Sequence, residues 1–242
     1  MSIEKTIINN DCLEVLKYLP DSSIPLAITS PPYNMNLRIR NGKYCSRQIT
    51  KELTTKYKNY PDNLPIEDYF ELNKLVLEEL VRVCDTVFYN VQFLTGNKRA
   101  LYKLIGHFSN NIKEFIVWDK VNSEPAIGSG VLNSRWEALL VLQKDHKAIS
   151  RKFENSQFSR GSLENIWQIK RGKKVHKEHG ATFPTELVEK IVLNFSDKED
   201  TVIDPFAGTG TVGEVCSNLG RGYFLIEKDE QYFKFIKKRL SK

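Results

Sequence analysis

The chain has 242 residues, with 36 Lys and Arg against 30 Asp and Glu and a formal charge of +6. Its 40% hydrophobic and 27% charged content suits one globular domain spanning residues 1–242 and leaves little room for a second. No apolar run approaches the roughly 20 residues that span a bilayer, and the first ten residues lack the pattern of a secretory signal, so the expectation is a cytoplasmic protein with no membrane partner.

Residues 6–8 read as a short strand and 12–19 as a short helix. Residues 26–29 form an apolar strand that stops at Pro31 and Pro32, because prolines cannot continue a ladder. Residues 35–65 lack periodicity and are expected to be a loop or insertion. Residues 67–83 are predicted as an amphipathic helix with Tyr69, Leu72, Leu75, Val76 and Leu80 on its apolar stripe. A strand at 86–91, a helix at 98–108 and strands at 113–118 and 138–142 follow. After a basic stretch at 145–178 come a helix at 184–195, a strand at 201–204, a helix at 212–219, a strand at 222–226 and a helix at 230–240. Strands alternating with helices predict an α/β, Rossmann-like fold, with a mostly parallel twisted sheet and helices on both faces. Ligands in such sheets lie beyond the carboxyl ends of the strands.

Two motifs sit at predicted strand ends. Asp204, Pro205, Phe206, Ala207, Gly208, Thr209, Gly210 and Thr211 run from a strand into a helix, and Gly208, Gly210 and Gly213 fit a dinucleotide fingerprint by spacing. Glycines let backbone turn sharply and approach a ligand closely. Glu227 ends the next strand, where a carboxylate can accept hydrogen bonds from both hydroxyls of a ribose. A nucleoside cofactor is the expectation. NAD fits poorly, since that unit normally opens its domain and here only a helix, a strand and a helix follow.

The other motif, Ser30, Pro31, Pro32 and Tyr33, closes the 26–29 strand. The prolines hold the Pro31 carbonyl rigidly outward, Ser30 adds a hydroxyl, and Tyr33 adds an aromatic ring. An exocyclic base amine is a weak nucleophile because its lone pair is delocalised. Two acceptors aimed at its hydrogens favour a tetrahedral nitrogen and stabilise its developing positive charge, and a ring can stack on a base taken from the duplex.

Basic residues cluster. Between 147 and 177 stand Lys147, Arg151, Lys152, Arg160, Lys170, Arg171, Lys173, Lys174 and Lys177 against Glu154 and Glu164. Arg38, Arg40, Lys43, Arg47, Lys51, Lys56 and Lys58 form a second group against Glu52. Phosphate binding needs such clusters. Arg38, Arg40, Arg151, Lys152, Arg160, Lys170, Arg171, Lys173 and Lys174 are the candidate DNA contacts. Phe158 and Trp167 mark the later stretch as a candidate target-recognition segment, or as core. Cys12, Cys45, Cys84 and Cys216 are scattered and read as reduced thiols. No histidine is spaced with a cysteine for metal, so none is expected.

With both motifs in hand, the chain resembles the β-class amino-methyltransferases of bacterial restriction–modification and orphan DNA methyltransferase families, in which the catalytic motif precedes the cofactor motif. The 11–16 segment resembles the one before the catalytic strand, and His179 through Pro184 the one before the cofactor helix. Gly180 departs from the proline common there. The resemblance runs from about residue 7 to 240. It implies S-adenosylmethionine as cofactor, with Asp204, Pro205, Phe206, Gly208, Gly210 and Thr211 at its methionine end. Glu227 would then bind the ribose, Asp11 would contact the adenine end, and Thr182, Phe183 and Pro184 would line the site. It implies double-stranded DNA as partner, a monomer or homodimer, and a cognate restriction endonuclease as a possible companion.

The expected chemistry is direct transfer to a flipped base stacked on Tyr33, its amine held by Ser30 and the Pro31 carbonyl, with no covalent enzyme–base intermediate. Serine at the first position of the turn accompanies cytosine enzymes in the family, so N4 of cytosine is expected over N6 of adenine. An NAD-dependent oxidoreductase, a non-catalytic nucleic-acid-binding subunit, and methylation of RNA or a protein amide are the rival readings. The first leaves the serine–proline turn and the basic stretches unexplained.

Overall fold

The computed structural model describes residues 5–35, 37–40, 43–46, 62–124, 129–154, 156–172 and 183–241, with backbone alone for 37–40, 43–46 and 124. In chain order the elements are β1 (Lys5–Ile8), α1 (Cys12–Leu16), β2 (Ile24–Thr29), β3 (Leu37–Arg40), β4 (Lys43–Ser46), α2 (Ile66–Val83), β5 (Cys84–Val91), α3 (Lys98–His107) and β6 (Ile112–Glu124). There follow β7 (Ser134–Leu142), α4 (Asp145–Ala148), β8 (Ile166–Gln168), α5 (Thr185–Phe195), β9 (Thr201–Asp204), α6 (Thr211–Asn218), β10 (Gly222–Ile226) and α7 (Glu230–Leu240).

Eight strands form one sheet in the order β1-β10-β9-β2-β5-β7-β6-β8. Only β7 runs against its neighbours; the other pairings are parallel. The short apolar runs of β2, β9 and β10 suit the middle of a parallel sheet, where both faces are covered. Alternation along β5 serves both faces: Val87 and Tyr89 enter one core with α2 and α3, and Phe88 enters the other with α5, α6 and α7. As the permuted motif order requires, β1 lies beside β10, with Ile7 opposite Leu225.

Several expectations change in detail. The 35–65 segment is not wholly a loop, since β3 and β4 form a two-stranded antiparallel ribbon within it; the alternation Leu37-Arg38-Ile39-Arg40 is only four residues long and is lost in a window of the usual length. Along α2 the buried positions are Tyr69, Asn73, Val76, Leu77, Leu80 and Val83, while Leu75 is exposed. The true stripe is set by packing on β5 and includes a polar residue that hydrophobicity alone passes over. The basic stretch also holds a sheet edge, for β8 pairs with β6 through Trp118↔Trp167.

Trp167 is fully buried in the second core, and its indole N–H donates to the Glu164 carbonyl at 2.6 Å. Phe158 packs against Phe153 and Phe195. The Trp167 ring is therefore closed off inside the core, and the Phe158 ring is half-buried against it. Trp167→Ala is expected to cost about 3–5 kcal/mol of stability, measured by urea unfolding, and to leave sequence preference unchanged in whatever fraction stays folded.

Candidate active site

From β9 the chain passes through α6 to β10 on one side, and from β2 through α2 to β5 on the other. The crevice between β9 and β2 is therefore the switch point of the sheet, where ligands of open α/β folds bind. Asp204 ends β9 and Thr29 ends β2. The buried Thr29 hydroxyl donates to Asp204 Oδ1 at 2.7 Å. This bond joins segments 175 residues apart and sets the two sequence motifs face to face.

On the β9 side, the Phe206 N–H also donates to Asp204 Oδ1 at 3.0 Å, Pro205 is buried, and Phe206 rests half-buried on the first core. Glu227 braces the loop by accepting the Gly208 N–H at 2.8 Å and the Asp229 N–H at 2.8 Å. Gly210 has φ +77°, and a Cβ there would stand 3.0 Å from Ile236 Cγ2 of α7. The sequence expectation that Gly210 is bare to admit a ligand thus needs correcting: the missing side chain makes room for α7 and for a left-handed turn. Gly213 likewise lets α6 settle on the sheet, since a Cβ would come within 2.6 Å of Leu225 Cδ1.

Asp11 reaches the same corner. It caps α1 by accepting the Leu13 N–H at 3.0 Å, and its Oδ2 pairs with Lys228 at 3.0 Å. The five-residue link from α5 to β9 puts the head of α5 at the carboxyl edge too, with Pro184 as its N-cap and Phe183 half-buried beside it. Thr182, along with His179 and Gly180, lies outside the described residues. These groups fit a nucleoside joined to an amino acid. Glu227 offers carboxylate lone pairs for ribose hydroxyls, and the buried Thr211 hydroxyl, which has no partner among the described residues, adds a polar contact.

On the β2 side the turn is fixed at every residue but one. Ser30 donates to the Tyr33 hydroxyl at 2.8 Å. The Pro32 carbonyl accepts from Tyr69 of α2 at 2.8 Å, and the Tyr33 carbonyl from Asn97 at 2.7 Å. Asn34, at φ +54°, donates to the Leu64 carbonyl at 2.8 Å. Among the described residues no donor within the chain reaches the Pro31 carbonyl.

Tyr33 differs from expectation. Its ring is 6% exposed and its hydroxyl is tied to Ser30, Asn90 and Glu137, so in this conformation it is no open stacking face. Beneath it lies a buried polar set that the sequence reading missed. The Tyr33 hydroxyl donates to Glu137 Oε2 at 3.0 Å, Asn90 Nδ2 donates to the same oxygen at 2.8 Å, and Lys120 Nζ lies 3.3 Å from Glu137 Oε1. The available signal was a polar residue beside the apolar run of each strand, Asn90 after Val87, Phe88 and Tyr89 in β5 and Glu137 before Ala138 to Leu142 in β7. Burial pushes the thiols of Cys12 and Cys216 up to about 12, and that of Cys84 higher still.

The candidate DNA contacts do not share one face. β8 runs parallel to β6 and ends at the same edge as β2 and β9, so Lys170 and Arg171, both exposed, follow it onto the site edge. Arg151 and Lys152 follow α4 at the opposite edge, where Lys113, at the start of β6, donates to the Lys147 and Ser150 carbonyls. Arg160 is exposed in a turn just after Gln157, whose side chain donates to Asp197 beyond the tail of α5. Antiparallel β7 carries the chain to that far edge, which no count of charges reveals. Arg38 and Arg40 lie on β3 with side chains outside the description, as are Lys173 and Lys174 altogether.

Burial raises Asp204 to about 7 and Glu227 to about 7, against the hydrogen bonds each accepts. Their folded-state pKa values lie above the unfolded ones, so this pair favours the folded state most at low pH. That contribution is lost as pH rises from 3.8 for Asp204 and 4.5 for Glu227 through about 7, and is flat above. Urea unfolding across that range, compared with Asp204→Asn/Glu227→Gln, is expected to show the wild type losing stability relative to the variant. A pH-independent difference would contradict the assignment.

Residues 24–238 match the family model of N6 and N4 methyltransferases, described as DNA methylase. The Type II methyltransferase M2.LlaDCHI of Lactococcus lactis subsp. cremoris is 32% identical over 251 residues, covering 98% of this chain and 89% of that protein. Among solved structures, the PvuII DNA methyltransferase (cytosine-N4-specific) aligns with a TM-score of 0.72 at 17% identity, over 98% of this chain and 88% of that one. TTHA0409 from Thermus thermophilus, solved in complex with S-adenosyl-L-methionine, aligns with a TM-score of 0.64 at 22% identity, over 99% and 95%. A crevice built from a glycine loop and a serine–proline turn, on this sheet and with this match across most of its length, means that the chain belongs to the N6/N4 DNA methylase family.

Proposed function

We propose that this DNA methyltransferase transfers the methyl group of S-adenosylmethionine to N4 of cytosine within a specific DNA sequence. The observation that carries this reading is Ser30, standing with the Pro31 carbonyl across the β2–β9 crevice from the 204–211 loop. Bound in that crevice, the cofactor supplies an electrophilic methyl group. Glu227 accepts from the ribose hydroxyls, Asp11 serves the adenine end, and the loop from Asp204 to Thr211, with Phe206 beside it, receives the amino-acid end. Phe183 and Pro184 at the head of α5, together with Thr182, wall the crevice.

The target amine is inaccessible inside a duplex, so the base leaves the stack before reaction. Ser30 and the Pro31 carbonyl accept its two hydrogens, which directs the nitrogen lone pair toward the crevice and stabilises positive charge as the new bond forms. The nitrogen then gives up a proton to water. Tyr33 acts through its hydroxyl, as a brace for Ser30. A hydroxyl is a weaker acceptor than a carboxylate and can also donate, which suits a smaller base presented at a different angle. Methylation at N6 of adenine is the second reading, favoured by the family's inclusion of N6 enzymes.

Two measurements test the proposal. Mass spectrometry of nucleosides from DNA treated with enzyme and labelled cofactor is expected to find the label in N4-methylcytosine; label in N6-methyladenine alone would overturn the base assignment. For DNA contacts, Lys170→Ala/Arg171→Ala is expected to flatten the log-affinity against log-salt slope by about two units. Arg151→Ala/Lys152→Ala, on the far edge, is expected to leave it nearly unchanged. The reverse pattern would place the duplex on the other side of the sheet.

A further inference from the structure

We infer that Glu137 is a positioning residue that makes Ser30 an obligate hydrogen-bond acceptor; the inference rests on the role given to Ser30 above. A serine hydroxyl can donate or accept. To hold an amine hydrogen it must accept, so its own proton has to point elsewhere.

The buried set under the turn forces that choice. Glu137 lies on β7 opposite Trp118, and its carboxylate pairs with Lys120 of β6; the two side chains are 9% and 0% exposed. The carboxylate can only accept. Asn90 presents its amide N–H to Glu137 Oε2, and flipping that amide would set its carbonyl oxygen against the carboxylate. The Tyr33 hydroxyl therefore meets a donor in Asn90 and an acceptor in Glu137. Its single proton goes to Glu137 Oε2, and its lone pairs receive Asn90 and Ser30. Ser30 thus spends its proton inward on Tyr33, and among the described residues no donor takes its lone pairs.

The arrangement is kept at a cost to the fold. A buried ion pair is no more stable than well-packed apolar side chains of similar volume. Next to Lys120, Val121 sits at φ +66° where the β6–β7 register breaks between Asp119 and Glu124, a conformation that β-branched residues avoid. Asp119, bonded to Arg135 and to the Val121 N–H, holds that kink. Structure gains nothing evident from this pair; hydrogen-bond polarity at Ser30 does.

The test compares Glu137→Gln, Ser30→Ala and the double variant in single-turnover methylation, with calorimetric cofactor affinity and thermal melting on each. A glutamine can donate to the Tyr33 oxygen and release the Ser30 proton outward. Glu137→Gln is expected to lower the transfer rate about 10- to 100-fold, with KM for DNA and cofactor affinity within about two-fold of wild type. In the Ser30→Ala background it is expected to add no further loss, because both act through one hydroxyl. A folded Glu137→Gln enzyme with wild-type rate, or losses that multiply in the double variant, would overturn the inference while leaving the role of Ser30 standing. A wild-type rate in Ser30→Ala would overturn both. Should Glu137→Gln fail to fold, Lys120→Met/Glu137→Leu removes the pair without stranding a charge, takes away the acceptor for the Tyr33 proton and carries the same comparison.

Discussion

The hydrogen bond from Thr29 to Asp204 is the contact on which the site depends. It fastens the last residue of β2 to the last residue of β9 at the one place where the sheet's connections diverge. Parallel pairing of β2 with β9 sets the register, Leu26 opposite Val202 and Ala27 opposite Ile203. That register brings a loop suited to a nucleoside within reach of a turn suited to an amine. The cost is a carboxyl group, Asp204, buried among apolar neighbours and raised to about 7, with two hydrogen bonds to hold it.

The two halves of the crevice are stiffened differently. The glycine loop is braced by backbone N–H groups on the Glu227 carboxylate and by close packing of α6 and α7, which Gly210 and Gly213 permit. Side chains from other elements pin the serine–proline turn: Tyr69 from α2, Asn97 ahead of α3, Asn90 from β5 and Glu137 from β7. Rigidity of this kind matters for the proposed direct transfer, which uses no covalent intermediate. Rate then depends on holding the acceptor oxygens in place before the base arrives.

Much of this was legible in the sequence, for identifiable reasons. Short apolar runs, the proline stop after Thr29 and the strand–glycine–helix pattern at Asp204 are local signals, and each element they predicted is present. The place of β1 beside β10 is consistent with a catalytic motif that precedes the cofactor motif. What the sequence hid depends on pairing between distant segments. Asn90, Lys120 and Glu137 are separate in sequence and look like isolated polar residues until β5, β7 and β6 lie side by side. The reversal of β7 sent Arg151 and Lys152 to the edge away from the crevice, so charge clustering in sequence did not mean clustering in space. Trp167 and Phe158, suggestive beside so many basic residues, fill the core under β8 and α5. Gly210 was read correctly as a required glycine, for a reason that only the position of α7 explains.

The central claim is that one crevice, at the β2–β9 junction, holds cofactor and target amine on opposite walls. A crystal structure with S-adenosylhomocysteine bound tests it most directly. The account predicts ribose hydroxyls on Glu227, the amino-acid end along the loop from Asp204 to Thr211, and the sulfur facing Ser30 and the Pro31 carbonyl. Nucleoside density away from Glu227, or a sulfur turned from the serine–proline turn, would contradict it.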